Sequence, residues 1–276
     1  MTACRVCGGR CESFGEAFVL VRHRVRYDRC ADCGSIQTET PYWLDEAYST
    51  ALVRADVGAV QRNIDLSEKT QAILASIYGR APTRFLDYGG GHGLFVRLMR
   101  DRGFDFYWSD KYASNDYANG FEAPASGGFS LMTAFEVFEH LPDPFNEVAS
   151  MQARADAILF STELLPDPAP PLDAWWYYAL FGGQHVQLYT RIGLQRLGER
   201  LGFALLSDGR TLHLYHRGAA PLSDWAFRLL ARRQAARFVN RLRPRTSLQP
   251  ADYRRFADAS ILPDDPAGTS RSPVAP

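Results

Sequence analysis

FLDYGGGHG, at residues 85–93, is the segment from which the architecture of this chain follows. An apolar run ends at Asp87 and enters a turn in which Gly89, Gly91 and Gly93 alternate with other residues. Glycine permits tight turns and lets a ligand lie close to the backbone. The segment therefore predicts a β-strand whose carboxyl end opens into a ligand-binding loop.

The sequence that follows this loop alternates amphipathic helices with apolar strands. Helices are predicted at 94–103 and 191–203, and strands at 104–112, 129–141, 157–166 and, as a closing pair, 204–217. Strands separated by helices predict a parallel sheet with helices on both faces. We therefore expect an α/β fold, a Rossmann-like doubly wound sheet, over residues 81–217.

The acidic residues around the loop indicate the kind of ligand. Asp87 would repel a pyrophosphate at this turn, so it favours a ligand that carries an amine. Asp110 ends the second strand, where a carboxylate can accept hydrogen bonds from ribose hydroxyls. A ligand with an adenosine part and a cationic amino-acid tail fits both positions. The alternatives are an NAD-type turn, an inactive relic of such a site, and an ordinary strand-end turn at Asp110.

These residues resemble the class I S-adenosylmethionine-dependent methyltransferases. The loop matches the first motif of that family, and Asp110 matches its ribose-binding acid. AFEVFEHLPDP, at 134–144, resembles the segment that lines cofactor and substrate, and residues 183–203 resemble a later segment of small-molecule members. The resemblance implies S-adenosyl-L-methionine as cofactor and S-adenosylhomocysteine as product. The cofactor-binding residues that it implies are Asp87, Tyr88, Gly89, Gly91, Gly93, Asp110, Phe135 and Glu136.

Glu139, His140 and His185 are the candidate catalytic residues. The strand before Glu139 leads to the carboxyl edge of the sheet, where open α/β sheets bind their ligands. An acceptor hydroxyl or acidic carbon needs a base, and an imidazole with a pKa near 6.5 suits that task. The alternative for His140 is that it only shapes the pocket. His185 follows the aromatic run WWYY at 175–178, which either stacks on an acceptor or belongs to a core cluster.

All five cysteines lie in the first 33 residues. Cys4 and Cys7 form one C-x-x-C pair, Cys30 and Cys33 form a second, and a glycine follows each pair. This spacing lets four thiolates reach one tetrahedral Zn²⁺ at about 2.3 Å, which predicts a closed, structural site. Two disulfides or free thiols in a small core are the alternative, although a reducing cytosol favours metal. Cys11 is left over as a small thiol.

The sequence divides into five regions. They are a zinc-binding module at 1–45, a helical connector at 46–80, the methyltransferase domain at 81–217, a basic helical segment at 218–261 and a disordered tail at 262–276. Within the module, residues 17–27 predict a strand of an exposed hairpin. A four-cysteine module before such a domain is similar to sugar C-methyltransferases and to methyltransferases of polysaccharide and natural-product gene clusters. Tyr27, Tyr42 and Tyr48 are aromatic candidates for the cleft that the sequence does not place.

The net charge is zero, yet the charges are unevenly distributed. Residues 1–84 carry +1, 85–209 carry −8, 210–255 carry +9 and 256–276 carry −2. The basic region contains an amphipathic helix predicted at 225–242, and the charge contrast predicts that this helix docks on the acidic domain. The alternatives are a surface for a partner, a carrier protein or an anionic substrate, and a surface for nucleic acid or membrane.

These observations predict an enzyme that methylates the oxygen or carbon of a small molecule. The expected acceptor is a sugar or secondary metabolite, free or linked to a carrier or nucleotide. One rival is an RNA methyltransferase that uses the zinc module and the arginines for binding, but AFEVFEH stands where base-amine methyltransferases carry an N/D-P-P-Y/F tetrad. A non-catalytic scaffold is the other rival, and the intact loop argues against it. We expect a cytoplasmic protein, because no apolar run approaches the roughly 20 residues of a membrane helix and no secretory leader follows Met1.

Overall fold

The computed structural model describes residues 2–48 and 57–257. The strands are β1 (Cys11–Val19), β2 (His23–Cys30), β3 (Ile36–Thr38), β4 (Arg84–Tyr88), β5 (Asp105–Ser109), β6 (Leu131–Phe135), β7 (Ala157–Ser161), β8 (Gln187–Leu188), β9 (Ala204–Ser207) and β10 (Leu212–His216). The helices are α1 (Leu44–Ala47), α2 (Ala59–Ile77), α3 (Leu94–Asp101), α4 (Pro144–Gln152), α5 (Arg191–Arg200), α6 (Asp224–Leu230), α7 (Arg233–Leu242) and α8 (Gln249–Ala257), with 3₁₀ turns at Phe138–His140 and Trp176–Tyr178. Within these ranges, no helix combines the length and the hydropathy needed to cross a membrane. The predicted tail at 262–276 and residues 49–56 of the predicted connector lie outside the described residues.

Six strands form the central sheet, in the order β5-β4-β6-β7-β10-β9. β4, β5, β6 and β7 are parallel, as the alternation of strands and helices predicts. β10 runs antiparallel to both β7 and β9, so the sheet is mixed, and the closing strand pair predicted at 204–217 is the exception to the parallel arrangement. The reason is the short turn at Asp208, whose carboxylate accepts hydrogen bonds from the backbone of Arg210 and Thr211. A turn of this length makes a hairpin, whereas a parallel neighbour requires a long crossover.

The register of the parallel strands places the predicted site residues on one edge. Asp87 of β4 is aligned with Thr133 of β6 and with Trp108 of β5. The carboxyl ends of β4, β5 and β6 therefore meet beside one another. This edge is the crevice in which open α/β sheets bind ligands.

The amino-terminal sheet has the order β1-β2-β3-β8. Leu20 and Val21 form the turn of its hairpin, with φ of 51° and 67°. The run predicted as a single strand at 17–27 is therefore two strands and a turn. Positive φ is rare for a β-branched residue, so sequence pattern gives no signal for this turn. A tertiary contact supports it, because the backbone N–H of Leu20 donates to the carbonyl of Leu180 at 2.9 Å.

The fourth strand of this sheet comes from a distant part of the chain. β8 pairs antiparallel with β3, with Ile36 opposite Leu188. Val25, Ile36 and Leu188 belong to one buried cluster together with Tyr177 and Tyr178. Residues 1–45 therefore complete neither their sheet nor their core without the segment around residues 165–188.

Apolar side chains cover both faces of the central sheet. One face packs against α2, α3, α6 and α7, with Ile73 and Phe227 fully buried. The other packs against α4 and α5, with Phe138, Phe160 and Leu197 fully buried. Polar caps fix where these helices begin, as when the Thr190 side chain accepts a hydrogen bond from the backbone of Gly193 at the start of α5.

The basic carboxy-terminal region forms three helices. The single helix predicted at 225–242 is wrong, because the backbone of Arg232 is extended between α6 and α7. α6 packs beside β9, whereas α7 lies along α2. One straight helix could not make both contacts, so tertiary packing overrides local helix propensity here.

α7 docks on α2 through charged groups. The Nε atoms of Arg233 and Arg237 both donate to Glu68, at 2.8 and 2.9 Å, and Arg233 also pairs with Asp65 at 2.8 Å. α8 is held in a similar way, since the guanidinium of Arg100 makes two hydrogen bonds to the buried carboxylate of Asp252. Internal docking of the basic region is confirmed. The basic region nevertheless docks mainly on the connector helix α2. This helix lies outside the acidic residues 85–209, on which the charge contrast predicted that the basic region would dock.

Replacing Glu68 tests this docking. Burial acts to raise the pKa of Glu68, but the guanidinium groups of Arg237 and Arg233 outweigh burial and hold this pKa below its usual value. Glu68→Gln should lower the free energy of unfolding by about 1–2 kcal/mol at pH 7, measured by urea denaturation. The loss should shrink below about pH 4, where the wild-type carboxylate becomes protonated and its contribution disappears. Glu16→Gln, which removes an exposed ion pair with Arg24, is the control and should change stability by less than about 0.5 kcal/mol. Equal effects of the two substitutions would contradict the docking role of Glu68.

Candidate functional site

The glycine loop between β4 and α3 has the backbone conformation that its sequence indicates. Gly89, Gly91 and Gly93 have φ of 68°, 52° and 84°, in the region that side chains disfavour. A Cβ on Gly89 would lie 2.6 Å from a methyl group of Val137, whereas a Cβ on Gly91 would meet nothing within 4 Å. The loop is therefore packed against the segment that follows β6 on one side and open to a ligand at Gly91.

Asp87 lies beneath this loop and is 3% exposed. The hydroxyl of Thr133 donates to its carboxylate at 2.6 Å. Burial raises the pKa of Asp87 to about 7, assisted by the charge of Asp110 and opposed by the bond from Thr133. An incoming ammonium group would supply the positive charge that this buried carboxylate otherwise lacks.

Asp110 joins the two loops at this edge of the sheet. One of its oxygens accepts from the backbone N–H of Gly91 at 2.9 Å. The other accepts from the backbone N–H groups of Tyr112 and Ala113, at 2.7 and 2.8 Å. Each carboxylate oxygen has two lone pairs, and three of these four acceptor positions are used, so one remains for a ligand hydroxyl. Asp110 therefore both closes the turn at the end of the strand and occupies the position predicted to contact the ligand.

The three other predicted cofactor residues surround the loop. The ring of Phe135 packs edge-on against Phe95 of α3, with centroids 5.0 Å apart. The hydroxyl of Tyr88 donates to Glu147 of α4. Glu136 has φ of 54°, an unusual conformation that is held by Ser161, since the Ser161 hydroxyl donates to the Glu136 carboxylate at 2.6 Å and accepts from its backbone N–H at 2.8 Å.

Glu139, His140 and His185 come together beside these residues. One carboxylate oxygen and one ring nitrogen from each imidazole lie within 4.8 Å of one another. Glu139 is fully buried, whereas the two histidines are half-buried. The sequence predicted each of these residues separately, but 45 residues separate His140 from His185, and only the fold brings them together.

The environment of this cluster shifts its proton equilibria strongly. Burial and the neighbouring Glu136 raise the pKa of Glu139 to about 8, against opposing interactions with the hydroxyls of Tyr177 and Thr162. Burial lowers the pKa of His185 to about 4 and the pKa of His140 well below 6.5, and the positive charge of Arg62 on α2 acts in the same direction on both. Both imidazoles are therefore neutral at pH 7 and have a lone pair available.

Two tyrosines that sequence reasoning left unplaced or missed complete the site. The hydroxyl of Tyr48 lies 2.9 Å from Nδ1 of His140, and its ring stacks on that of Tyr112 at 4.7 Å. Tyr48 thus faces the cleft, whereas Tyr27 is buried in the amino-terminal sheet and Tyr42 is exposed. In the WWYY run, Tyr177 and Tyr178 are core residues, as one alternative held, while Trp176 is exposed. For Tyr112, the only signal in the sequence was its position two residues after Asp110.

The four paired cysteines also lie together. Sγ of Cys4 is 3.8 Å from Sγ of Cys33, Sγ of Cys7 is 3.5 Å from Sγ of Cys30, and all four sulfurs lie within 4.8 Å of one another. A disulfide requires about 2.05 Å, and each cysteine here is a free thiol. A ZnS₄ tetrahedron with 2.3 Å bonds has sulfur–sulfur edges of about 3.8 Å, so the donor set fits that ion. Cys11 is buried outside the group of four, as a spare thiol would be.

Comparison with known proteins gives one family match. A family profile described as a methyltransferase domain matches residues 60–208, which is more than half of the 276 residues. The matched range includes all of α2 except its first residue, the glycine loop, Asp110, and the cluster of Glu139, His140 and His185. No curated protein sequence matches the chain.

Several solved methyltransferases are similar in fold at low sequence identity. The plantazolicin methyltransferase BpumL, in complex with a monoazolic desmethylPZN analog and SAH, gives a TM-score of 0.46 at 9% identity over 65% of this chain and 94% of that one. The magnesium protoporphyrin IX methyltransferase (ChlM) from Synechocystis PCC 6803, with bound SAH, gives 0.43 at 14% identity over 63% and 92%. The mitomycin 7-O-methyltransferase MmcR gives 0.41 at 13% identity over 55% and 54%, so the match spans about half of that enzyme.

The buried carboxyl of Asp87 should make stability depend on pH. Its folded pKa of about 7 lies above the unfolded value near 3.9, so the native state binds the extra proton between these values. The contribution of Asp87 to the free energy of unfolding is therefore fully present below about pH 4 and is lost as the pH rises through 7. Asp87→Asn removes that loss and keeps an acceptor for Thr133. Relative to wild type, the variant should gain on the order of 2 kcal/mol in unfolding free energy between pH 5 and pH 8, measured by urea denaturation. A constant difference between the two proteins across this range would rule out the raised pKa.

Proposed function

This chain belongs to the methyltransferase-domain family, and on that basis we propose that it transfers a methyl group from S-adenosyl-L-methionine to a small-molecule acceptor. The observation that carries the proposal is the joint position of the glycine loop, Asp87 and Asp110 at one sheet edge, connected by the hydrogen bond from Gly91 to Asp110. Two carboxylates separated by an open glycine backbone suit a ligand with a cationic amine at one end and ribose hydroxyls at the other.

The assignment of roles follows the two ends of such a ligand. Asp87 and the backbone at Gly89 and Gly93 hold the amino-acid end, and Asp110 accepts hydrogen bonds from the ribose hydroxyls. Tyr88, Phe135 and Glu136 line the space between the loop and the catalytic cluster. S-adenosyl-L-methionine, when bound, supplies a methyl group on a positively charged sulfur. The protein's part is to orient an acceptor atom in line with that bond, which accounts for much of the rate in a displacement reaction.

The acceptor side of the site is formed by Glu139, His140 and His185. The neutral imidazoles have a lone pair for the proton of an acceptor hydroxyl or acidic carbon, but their lowered pKa values make them weak bases at pH 7. Direct proton removal by His140, and the alternative in which His140 only shapes the pocket, both fit its position. The stacked rings of Tyr48 and Tyr112 add an apolar wall, which suits a sugar or secondary-metabolite acceptor for O- or C-methylation.

Nucleic acid is a poor fit as an acceptor. The arginines that made it a rival are partly used inside the protein: Arg233 and Arg237 bind Glu68, Arg243 donates to the carbonyl of Ala75, and Arg245 donates to that of Gly103. Arginines with internal partners contribute less to phosphate binding. The intact loop from Asp87 to Gly93 argues against a scaffold without catalysis.

We further propose that Cys4, Cys7, Cys30 and Cys33 bind one structural Zn²⁺. The sulfur separations support this, and four thiolates leave no open position for catalysis. The ion would fix the two turns that hold the amino-terminal sheet against α5. Arg200 of α5 donates to the carbonyl of Val6 at 2.6 Å, and Thr190 donates to the carbonyl of Cys33.

Binding of S-adenosylhomocysteine to the purified protein tests the cofactor assignment. Calorimetry should show one site, and Asp110→Ala should weaken it about 10- to 100-fold, because hydrogen bonds to a charged group contribute about 1.5–3 kcal/mol. Asp101→Ala, at the exposed end of α3, is the control and should bind normally. Failure of the wild-type protein to bind S-adenosylhomocysteine or S-adenosyl-L-methionine would overturn the proposed function. An unchanged affinity of Asp110→Ala would overturn only the role of Asp110.

Metal analysis of single cysteine variants tests the zinc site. The wild-type protein should contain about one zinc per chain by mass spectrometry of the dissolved metal. Cys33→Ser should lose zinc and melt at a lower temperature, because the remaining ligands cannot close the tetrahedron. Cys11→Ser removes the cysteine outside the group and should keep its zinc. Loss of zinc from Cys11→Ser alone would contradict the assigned ligands.

A further inference from the structure

The cluster of Glu139, His140 and His185 has a property that proton transfer does not account for. Among the described residues, neither carboxylate oxygen of Glu139 has a partner in ordinary hydrogen-bond geometry, although its side chain is fully buried and the hydroxyls of Tyr177 and Thr162 lie close enough to affect its pKa. A buried carboxylate without a partner is strongly unfavourable unless a cation or a donor group joins it. The two imidazoles lie within 4.8 Å of this carboxylate, so both carboxylate and imidazoles face one small space.

Each of the two histidines uses Nδ1 in a contact outside the cluster, which leaves Nε2 free to bind a metal ion. Nδ1 of His185 lies 2.7 Å from the carbonyl of Tyr177. A carbonyl only accepts, so Nδ1 carries the proton and Nε2 has the lone pair. Nδ1 of His140 pairs with the hydroxyl of Tyr48, which can accept from it in the same way. Metal-bound histidines usually donate their other ring nitrogen to such a partner, which fixes both the tautomer and the ring orientation.

The backbone holds the third ligand equally firmly. The carbonyl of Glu139 accepts from the backbone N–H of Val186 at 2.9 Å, and Val186 directly follows His185. The two segments that carry the ligands are therefore fixed to each other by the main chain. Rigid placement of this kind is what a metal site needs from its protein.

We propose that Glu139, His140 and His185 bind a divalent transition-metal ion. One carboxylate and two imidazoles form a ligand set that suits Zn²⁺, Fe²⁺, Co²⁺ or Mn²⁺ and leaves positions open. The half-buried histidines border the cleft, so an acceptor with oxygen donors can complete the coordination. The charge of Arg62 opposes a cation here, so the site depends on the negative charge that Glu139 acquires when the ion displaces its proton.

Together with the proposed methyl transfer, on which this step alone rests, the ion changes how the acceptor is activated. A hydroxyl bound to a divalent metal loses its proton to water near neutral pH far more readily than a free one. The oxygen lone pair then forms the new bond to the methyl carbon. The electron pair of the broken carbon–sulfur bond stays on sulfur, which becomes a neutral thioether. His140 is then a ligand and does not itself take the proton.

Calorimetric titration with Co²⁺ tests the site without reference to activity. The zinc content of the full-length protein is first brought to one equivalent per chain, which the four thiolates hold more tightly than the new site does, and Co²⁺ is then added. Wild type should bind one further equivalent. Glu139→Gln and His185→Gln should each weaken this binding at least tenfold, and Tyr48→Phe should weaken it by about the same factor through His140. His23 is a half-buried histidine on the amino-terminal sheet that pairs with Glu46. His23→Gln is the control and should bind Co²⁺ as wild type does.

Three results would overturn the proposal. They are the absence of Co²⁺ binding beyond the zinc-filled site, equal affinity in wild type and Glu139→Gln, and loss of binding in His23→Gln. Tyr48→Phe removes one hydroxyl and keeps the stacked ring, so it remains informative if the variants of Glu139 and His185 do not fold. S-adenosylhomocysteine affinity is measured on the same samples. Cofactor binding without Co²⁺ binding would reject the metal site alone, and Co²⁺ binding without cofactor binding would reject the methyl-transfer function alone.

Discussion

The two-residue strand β8 is the contact on which the arrangement of this protein depends. Its residues pair with β3 of the amino-terminal sheet, while the neighbouring Val186 donates to the backbone of Glu139. Buried Gln187 also reaches from this strand to the carbonyl of Ile36. A segment of a few residues therefore connects the four-cysteine module, through hydrogen bonds, to the cluster of Glu139, His140 and His185. A module that gains its last strand and part of its core from residues 165–188 stabilises that segment in return.

The site concentrates acidic groups where the fold gives them little compensation. Asp87, Glu136 and Glu139 all lie at the carboxyl ends of adjacent strands. Only Asp87 and Glu136 have hydroxyl donors in ordinary hydrogen-bond geometry, from Thr133 and Ser161 among the described residues. The raised pKa values of Asp87 and Glu139 express this unfavourable charge. Such groups reduce stability, and their presence at one edge indicates that ligands with positive charge belong there.

The neutral total charge is the sum of an acidic middle region, residues 85–209, and a basic carboxy-terminal region, residues 210–255. Arginines of the carboxy-terminal region contact α2 and the loop around Gly103, where Arg245 donates to a backbone carbonyl. The pair of Arg100 with Asp252 is buried on both sides, so it fixes α8 more than it steers ligands. The basic region thus covers the outer face of the sheet opposite α4 and α5. Its contacts are structural, and they leave the acidic edge open.

By itself, the sequence determined the elements and the chemistry of single positions. Glycine spacing predicted the loop, the C-x-x-C pairs predicted a four-sulfur group, and apolar periodicity predicted β4 to β7, because these signals act within a few residues. Only the tertiary structure decided contacts between distant residues. It brought His185 to Glu139, gave β8 to the amino-terminal sheet, placed Tyr48 on His140 and broke the basic helix at Arg232. The physical reason is that burial, pairing and pKa depend on what surrounds a group in space, and local patterns carry no information on neighbours that lie dozens of residues away.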